Sequence, residues 1–151
     1  MGRATWLESK IHLPHARTTA VLTNNETFRW SLKSTPNVVT VGSLDEGLEV
    51  ADEAVRRDEI RADNVWVVGG EKVYEEALVH PRANTLHLTD IDFEGASSAP
   101  SWSDVGHVAR FPGEALWSDR FKLTTKFEGE LSGKDGLPRY TFSTFEAIVH
   151  S

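Results

Sequence analysis

A chain of 151 residues and 16.8 kDa is the size of one domain, and 39% hydrophobic with 26% charged residues suits a soluble folded core rather than disorder. A net charge of −7, a pI near 5.3 and no basic patch argue against a general nucleic-acid binder. The lack of cysteine excludes disulfides and thiolate–metal sites, and no apolar run is long enough to span a bilayer.

The opening Met1-Gly2-Arg3-Ala4-Thr5-Trp6 has no signal-peptide core, so the expected compartment is the cytoplasm. Residues 2–10 can open as a short helix. Leu13-Pro14-His15-Ala16-Arg17 reads as a turn, because proline fixes φ and blocks helix. Residues 18–23 are β-branched and short, which predicts a strand ended by Asn24-Asn25; residues 38–41 predict a second. Ser43-Leu44-Asp45-Glu46 is a capping box, and Leu44, Leu48, Ala51 and Val55 then recur at helical spacing to about Arg57. Val65-Trp66-Val67-Val68 is a continuous apolar run, the pattern of a buried parallel strand. Gly69-Gly70 breaks it, and a helix is expected from Glu71 to about Val79, with Val73, Ala77 and Leu78 inward and Pro81 beyond. Residues 85–91, 121–127 and 140–148 predict strands, the last two flanking the turn-rich Ser132-Gly133-Lys134-Asp135-Gly136. No repeat, low-complexity tract or linker argues for a second domain, so residues 1–151 read as one α/β domain ending in an antiparallel hairpin.

The strongest local signal for chemistry is the strand–Gly-Gly–helix pattern over residues 65–79. A helix start offers unpaired N–H groups and partial positive charge, and glycines before it let a phosphate approach the backbone. An ordinary strand-to-helix turn, in which glycine only relieves strain, stands as an equal alternative. Lys72 adds a cation where the helix dipole does not favour one; it also reads as a solvated lysine. Gly2-Arg3-Ala4-Thr5 puts a guanidinium and a hydroxyl at another helix start, and Arg pairs bidentately with phosphate. Arg17, after its proline turn, could clamp a carboxylate in the same way. A plain surface arginine is the blander account of both. His12, His15, His80, His87, His107 and His150 show no metal-ligand spacing, and no Gly-x-Ser-x-Gly elbow occurs. Asp90 and Asp92 flank Ile91 and read as a strand end rather than a catalytic pair.

Taken in order, Met1-Gly2-Arg3-Ala4-Thr5-Trp6, Leu13-Pro14-His15-Ala16-Arg17, Ala20-Val21-Leu22-Thr23, Ser43-Leu44-Asp45-Glu46, Val67-Val68-Gly69-Gly70-Glu71-Lys72-Val73-Tyr74 and Leu86-His87-Leu88-Thr89-Asp90-Ile91-Asp92 resemble dihydrofolate reductase. Phe93-Glu94-Gly95 and the closing hairpin continue the likeness. The resemblance implies a mixed, mostly parallel sheet with flanking helices and a C-terminal antiparallel hairpin. It implies reduction of 7,8-dihydrofolate to tetrahydrofolate with hydride from NADPH. Under it, Gly2, Arg3 and Thr5 belong to the cofactor site, Arg3 and Thr5 meeting the phosphates. Leu22, Thr23 and Asn24 would line the adenosine side, with Asn24 near the 2′-phosphate. Gly69, Gly70, Glu71, Lys72 and Val73 would wrap the pyrophosphate and nicotinamide ribose, across a Gly-Gly bond that is typically cis. Val68 and Tyr74 would border nicotinamide and pterin, Leu13 the aminobenzoyl group, Arg17 the glutamate carboxylate, and Thr89 the pterin.

The chain also departs from the family pattern. Ala96 stands where many bacterial members carry a loop aspartate, and His15 where glycine is common. Family members begin with a strand, a lid loop, an acid-bearing helix and a second strand. This sequence opens after them, which makes the fold incomplete at its N-terminus, places the proton donor upstream of Met1 and predicts impaired activity for the chain alone. No catalytic residue is therefore assigned within it. A riboflavin-pathway reductase of the same fold, and a non-catalytic nucleotide-binding relative, stay open as alternatives. Monomer is the default state; neither nucleic acid nor membrane is expected as partner.

Overall fold

Two runs of β-branched residues, Thr19–Leu22 (β1) and Val38–Val41 (β2), pair in parallel with Thr19 opposite Val38 and Leu22 opposite Val41. Parallel strands need a crossover, and a helix at Glu26–Leu32 (α2) supplies it. Sequence reasoning passed over α2, since Thr27, Phe28 and Trp30 are indifferent helix formers. Its start was nonetheless written locally: the Asn25 side chain accepts from Phe28 N at 2.8 Å, the geometry of an N-cap. The computed structural model describes residues 1–8, 18–57, 64–93, 110–130 and 139–149. It divides into two compact units, Met1–Ala77 and Leu78–Ser151.

In the first unit a short helix, Arg3–Glu8 (α1), precedes β1, and Leu44–Arg56 (α3) follows β2. The capping box forms with a one-residue difference. Ser43 Oγ accepts from Glu46 N at 3.1 Å, but the Glu46 carboxylate reaches back to Gly42 N, at 2.5 Å, rather than to the cap's own N–H. α3 lies on the strand pair, because a side chain at Gly47 would touch Val41 and Ala20. Val21 and Val41 are sealed beneath it with Leu44 and Leu48. Glu71–Val79 forms the predicted helix (α4), its last two residues belonging to the second unit.

The run at residues 65–68 is a correction. It joins no strand ladder among the described residues, and Val65 and Trp66 are 50% and 64% exposed. An apolar run supplies the propensity for a buried strand, but pairing makes the strand.

In the second unit Thr85–Asp92 (β3), Phe121–Glu130 (β4) and Arg139–Ala147 (β5) form an antiparallel sheet in the order β3-β5-β4. Its core is Leu78, Leu86, Trp117 and Phe121, with Leu88, Phe145 and Ala147 packed against it. Trp117 meets Phe145 edge-on at 5.1 Å. Arg120 donates to the carbonyls of Leu78 and His80, satisfying acceptors at the C-terminal end of α4. The alternation Phe121, Leu123, Thr125, Phe127 does not keep one face inward. A bulge between Leu123 and Thr125 shifts the register, so Phe121 is 4% exposed while Phe127, opposite Phe142, is 60% exposed. One parallel pair and one antiparallel sheet realise the expected mixed α/β arrangement with its terminal hairpin. Antiparallel pairing is the larger share among the described residues, and residues 65–68 join neither sheet.

Candidate functional site

The first unit gathers its small residues where two helices begin. Met1 and Gly2 run alongside β1: the Met1 ammonium donates to Ala20 O, Leu22 N donates to Met1 O, each at 2.8 Å, and Gly2 and Leu22 form a parallel bridge. On its other side Gly2 N donates to Gly69 O at 2.7 Å. Burial lowers the pKa of the Met1 ammonium below its ordinary value. The backbone of Gly2 is thus held between β1 and Gly69.

From this strip α1 and α4 start. The first intrahelical bonds run from Trp6 N to Gly2 O at 3.0 Å and from Tyr74 N to Gly70 O at 2.9 Å. The N–H groups of Arg3, Ala4 and Thr5, and of Glu71, Lys72 and Val73, precede those bonds. They are the donors that an anion at a helix start uses. The two starts touch. A Cβ on Gly70 would lie 3.0 Å from Thr5 Oγ1, and one on Gly2 would lie 3.4 Å from Val73 Cγ2 and 3.6 Å from Gly70 N. Gly69 has φ +83°, and a Cβ there would fall 2.7 Å from the Tyr74 ring. Only glycine meets both demands without strain. The Gly69–Gly70 peptide is cis, as the resemblance implies.

The charges near this strip are mixed. Arg3 and Lys72 are exposed, and Glu71 occupies the first turn of α4, where the helix dipole favours an acid. Tyr74 is half-buried, and desolvation pushes its phenol above the ordinary 10.0. At the end of β1, Thr23 is buried, its N–H donating to Val41 O at 2.8 Å and its hydroxyl accepting from Asn25 N at 3.2 Å. Asn24 is exposed, and its Oδ1 and Glu46 Oε2 both lie beside Gly42, within 3.0 and 3.2 Å of where a Cβ would stand. A phosphate at Asn24 would share that corner with the Glu46 carboxylate, which Arg29 faces at 3.9 Å.

The structure therefore brings Gly2, Thr5, Leu22, Gly69, Gly70, Val73 and Tyr74 together, with Val68 half-buried just before them and Arg3, Glu71 and Lys72 at the two helix starts. Thr89 belongs to the second unit, exposed on β3 opposite Phe142. Leu13 and Arg17 lie outside the described residues. Sequence reasoning missed the Gly42–Glu46 corner as part of this surface. The capping box was its signal, read there only as a helix start. Among the described residues no three His, Asp or Glu form a metal-ligand set, and no helix is long and apolar enough to cross a membrane.

A family model described as dihydrofolate reductase matches residues 1–110. The chain is 40% identical to a dihydrofolate reductase of Aedes albopictus over 95 residues, covering 60% of this chain and 47% of the relative. It is 34% identical to one from Heliothis virescens over 98 residues, again 60% of this chain and 47% of the relative. A bifunctional dihydrofolate reductase-thymidylate synthase 2 of Arabidopsis thaliana is 33% identical over 94 residues, covering 61% of this chain and 16% of the relative. The match spans about half the length of the insect relatives and less than a fifth of the plant one.

Proposed function

The chain belongs to the dihydrofolate reductase family, and from that premise we propose that its site serves NADPH-dependent reduction of 7,8-dihydrofolate to tetrahydrofolate. The observation that carries the reading is the contact between two helix starts through Gly2, Gly70 and Thr5, a cradle that a single Cβ would fill. Such a cradle fits a diphosphate, whose oxygens accept from helix-start N–H groups and whose bulk needs bare backbone.

When bound, NADPH supplies the hydride. Arg3 and Thr5 hold its phosphates, and Gly69, Gly70, Glu71, Lys72 and Val73 close on the pyrophosphate and nicotinamide ribose. Leu22, Thr23 and Asn24 line the adenosine side. Val68 and Tyr74 border nicotinamide and pterin, and Tyr74, whose phenol pKa burial raises above 10.0, presents an uncharged ring there. Thr89 hydrogen-bonds the pterin, Leu13 packs on the aminobenzoyl group, and Arg17 pairs with the glutamate carboxylate. In this reading residues 1–151 act as one domain of a cytoplasmic monomer. The residues given to the pterin side include no carboxylic acid, so this reading assigns the pterin no proton donor and expects slow turnover.

The test is titration of the full chain with NADPH, wild type against Arg3→Ala. Loss of a charge-assisted phosphate contact weakens binding by about 1.5–3 kcal/mol. Equal affinities in two well-folded proteins would remove Arg3 from the site. Rapid loss of reduced-nicotinamide absorbance with dihydrofolate present would show that a proton donor had been overlooked.

A further inference from the structure

Away from that site, a groove of about 360 Å³ runs between α2 and β2. Arg29, Trp30 and Leu32 of α2, with the cap residue Lys33, form one wall. Val38, Val39 and Thr40 of β2 form the other. Successive residues of a strand point to opposite faces, so three consecutive residues can line one groove only along the strand's edge. β1 occupies the opposite edge: Thr19 N donates to Asn37 O and Thr23 N to Val41 O. By the alternation of a parallel ladder, the odd-numbered residues of β2 bond to β1, and the Val38 carbonyl and Thr40 N–H face the groove. Among the described residues no strand pairs with this edge, although Val38 N donates to Thr35 O and Thr40 O accepts from Arg29, each at 3.3 Å.

The groove carries two cations and no carboxylate in its walls, in a chain of net charge −7. The nearest acid is Glu46, 3.9 Å from Arg29, whose guanidinium also donates to the carbonyl and hydroxyl of Thr40 at 3.3 and 3.4 Å. Lys33 Nζ stands 4.6 Å over the Trp30 ring, and Trp30 is 70% exposed. A strand edge that no described strand occupies, an exposed indole and a positive wall are the three elements of strand-addition recognition: main-chain bonds, an apolar anchor and a charge that selects.

We propose that this groove binds an extended acidic segment of a partner protein. The segment adds as a third strand at this edge of β2, bonding the Val38 carbonyl and the Thr40 N–H, with carboxylates toward Lys33 and Arg29 beside the Trp30 indole. None of the groove residues is assigned to the cofactor, and the tested Lys33 lies apart from Arg29, which faces Glu46 at the corner of that site.

The probe is the peptide acetyl-Val-Glu-Val-Glu-Val-amide, titrated into the full ¹⁵N-labelled chain. The expected result is saturable movement of the Thr40 amide and the Trp30 indole N–H signals. Lys33→Glu, an exposed change that keeps the spectrum dispersed, should weaken binding at least tenfold. So should N-methylation of the peptide bonds that face β2. The proposal is overturned by no saturable shift, by equal binding of the lysine counterpart peptide, or by equal binding of the N-methylated peptide. Shifts confined to residues away from the α2–β2 groove would do the same.

Discussion

Replacing Gly69 by alanine adds one methyl group where the backbone and a neighbour both refuse it. At φ +83° an L-residue carries about 1–2 kcal/mol of steric cost. The new Cβ would also lie 2.7 Å from Tyr74 Cε2 and 3.0 Å from Cζ, so the ring must move. Forcing atoms into a packed site typically costs about 1–3 kcal/mol. The sum, about 2–5 kcal/mol, is a large share of a small domain's stability. Urea unfolding followed by circular dichroism measures it. A double-mutant cycle with Tyr74→Ala separates the two causes, because removing the ring relieves the clash and leaves the backbone cost. A second readout is ultraviolet titration of the phenols, since the chain has only two tyrosines. If the ring is pushed toward water, the raised Tyr74 pKa should fall back toward 10.0. A Gly69→Ala protein within about 0.5 kcal/mol of wild type, a spread ordinary for surface changes, would refute the reasoning. So would strict additivity in the cycle.

Gly70→Val should abolish NADPH titration while leaving the circular dichroism spectrum folded, because its side chain starts 3.0 Å from Thr5 Oγ1 and fills the cradle; undiminished affinity would count against the site. Tyr74 has a pKa raised in the folded chain by burial, so its neutral form is the one folding favours. The folded state then holds its proton longer than the unfolded one, and stability should be flat below about pH 10 and fall as pH rises through that value. Tyr74→Phe should flatten this alkaline slope, as read from urea midpoints across pH. Arg120→Ala should destabilise the second unit by about 1–3 kcal/mol, since it strips partners from the carbonyls of Leu78 and His80. Thermal unfolding watched by circular dichroism would show it, and an unchanged midpoint would mean that water replaces the guanidinium without loss.

Local chemistry wrote part of this protein plainly into its sequence. The Ser43 cap with the apolar spacing behind it, the helix that follows Gly69-Gly70, and the strands of the second unit are interactions among residues a few positions apart, so a window of sequence contains them. The order of motifs carried the family for the same reason. What tertiary structure decided is whatever depends on pairing across long separations. Residues 65–68 have the composition of a buried strand, but strand formation requires a neighbour's N–H and C=O groups, and no such ladder includes them among the described residues. One bulged residue in β4 turned Phe127 to the opposite face from Phe121, an event invisible to a period-two pattern. The candidate site itself is of this kind. Gly2 and Gly70 are each unremarkable in sequence, and they become a cradle only because the bond from Gly2 N to Gly69 O brings two helix starts, far apart in the chain, against one another.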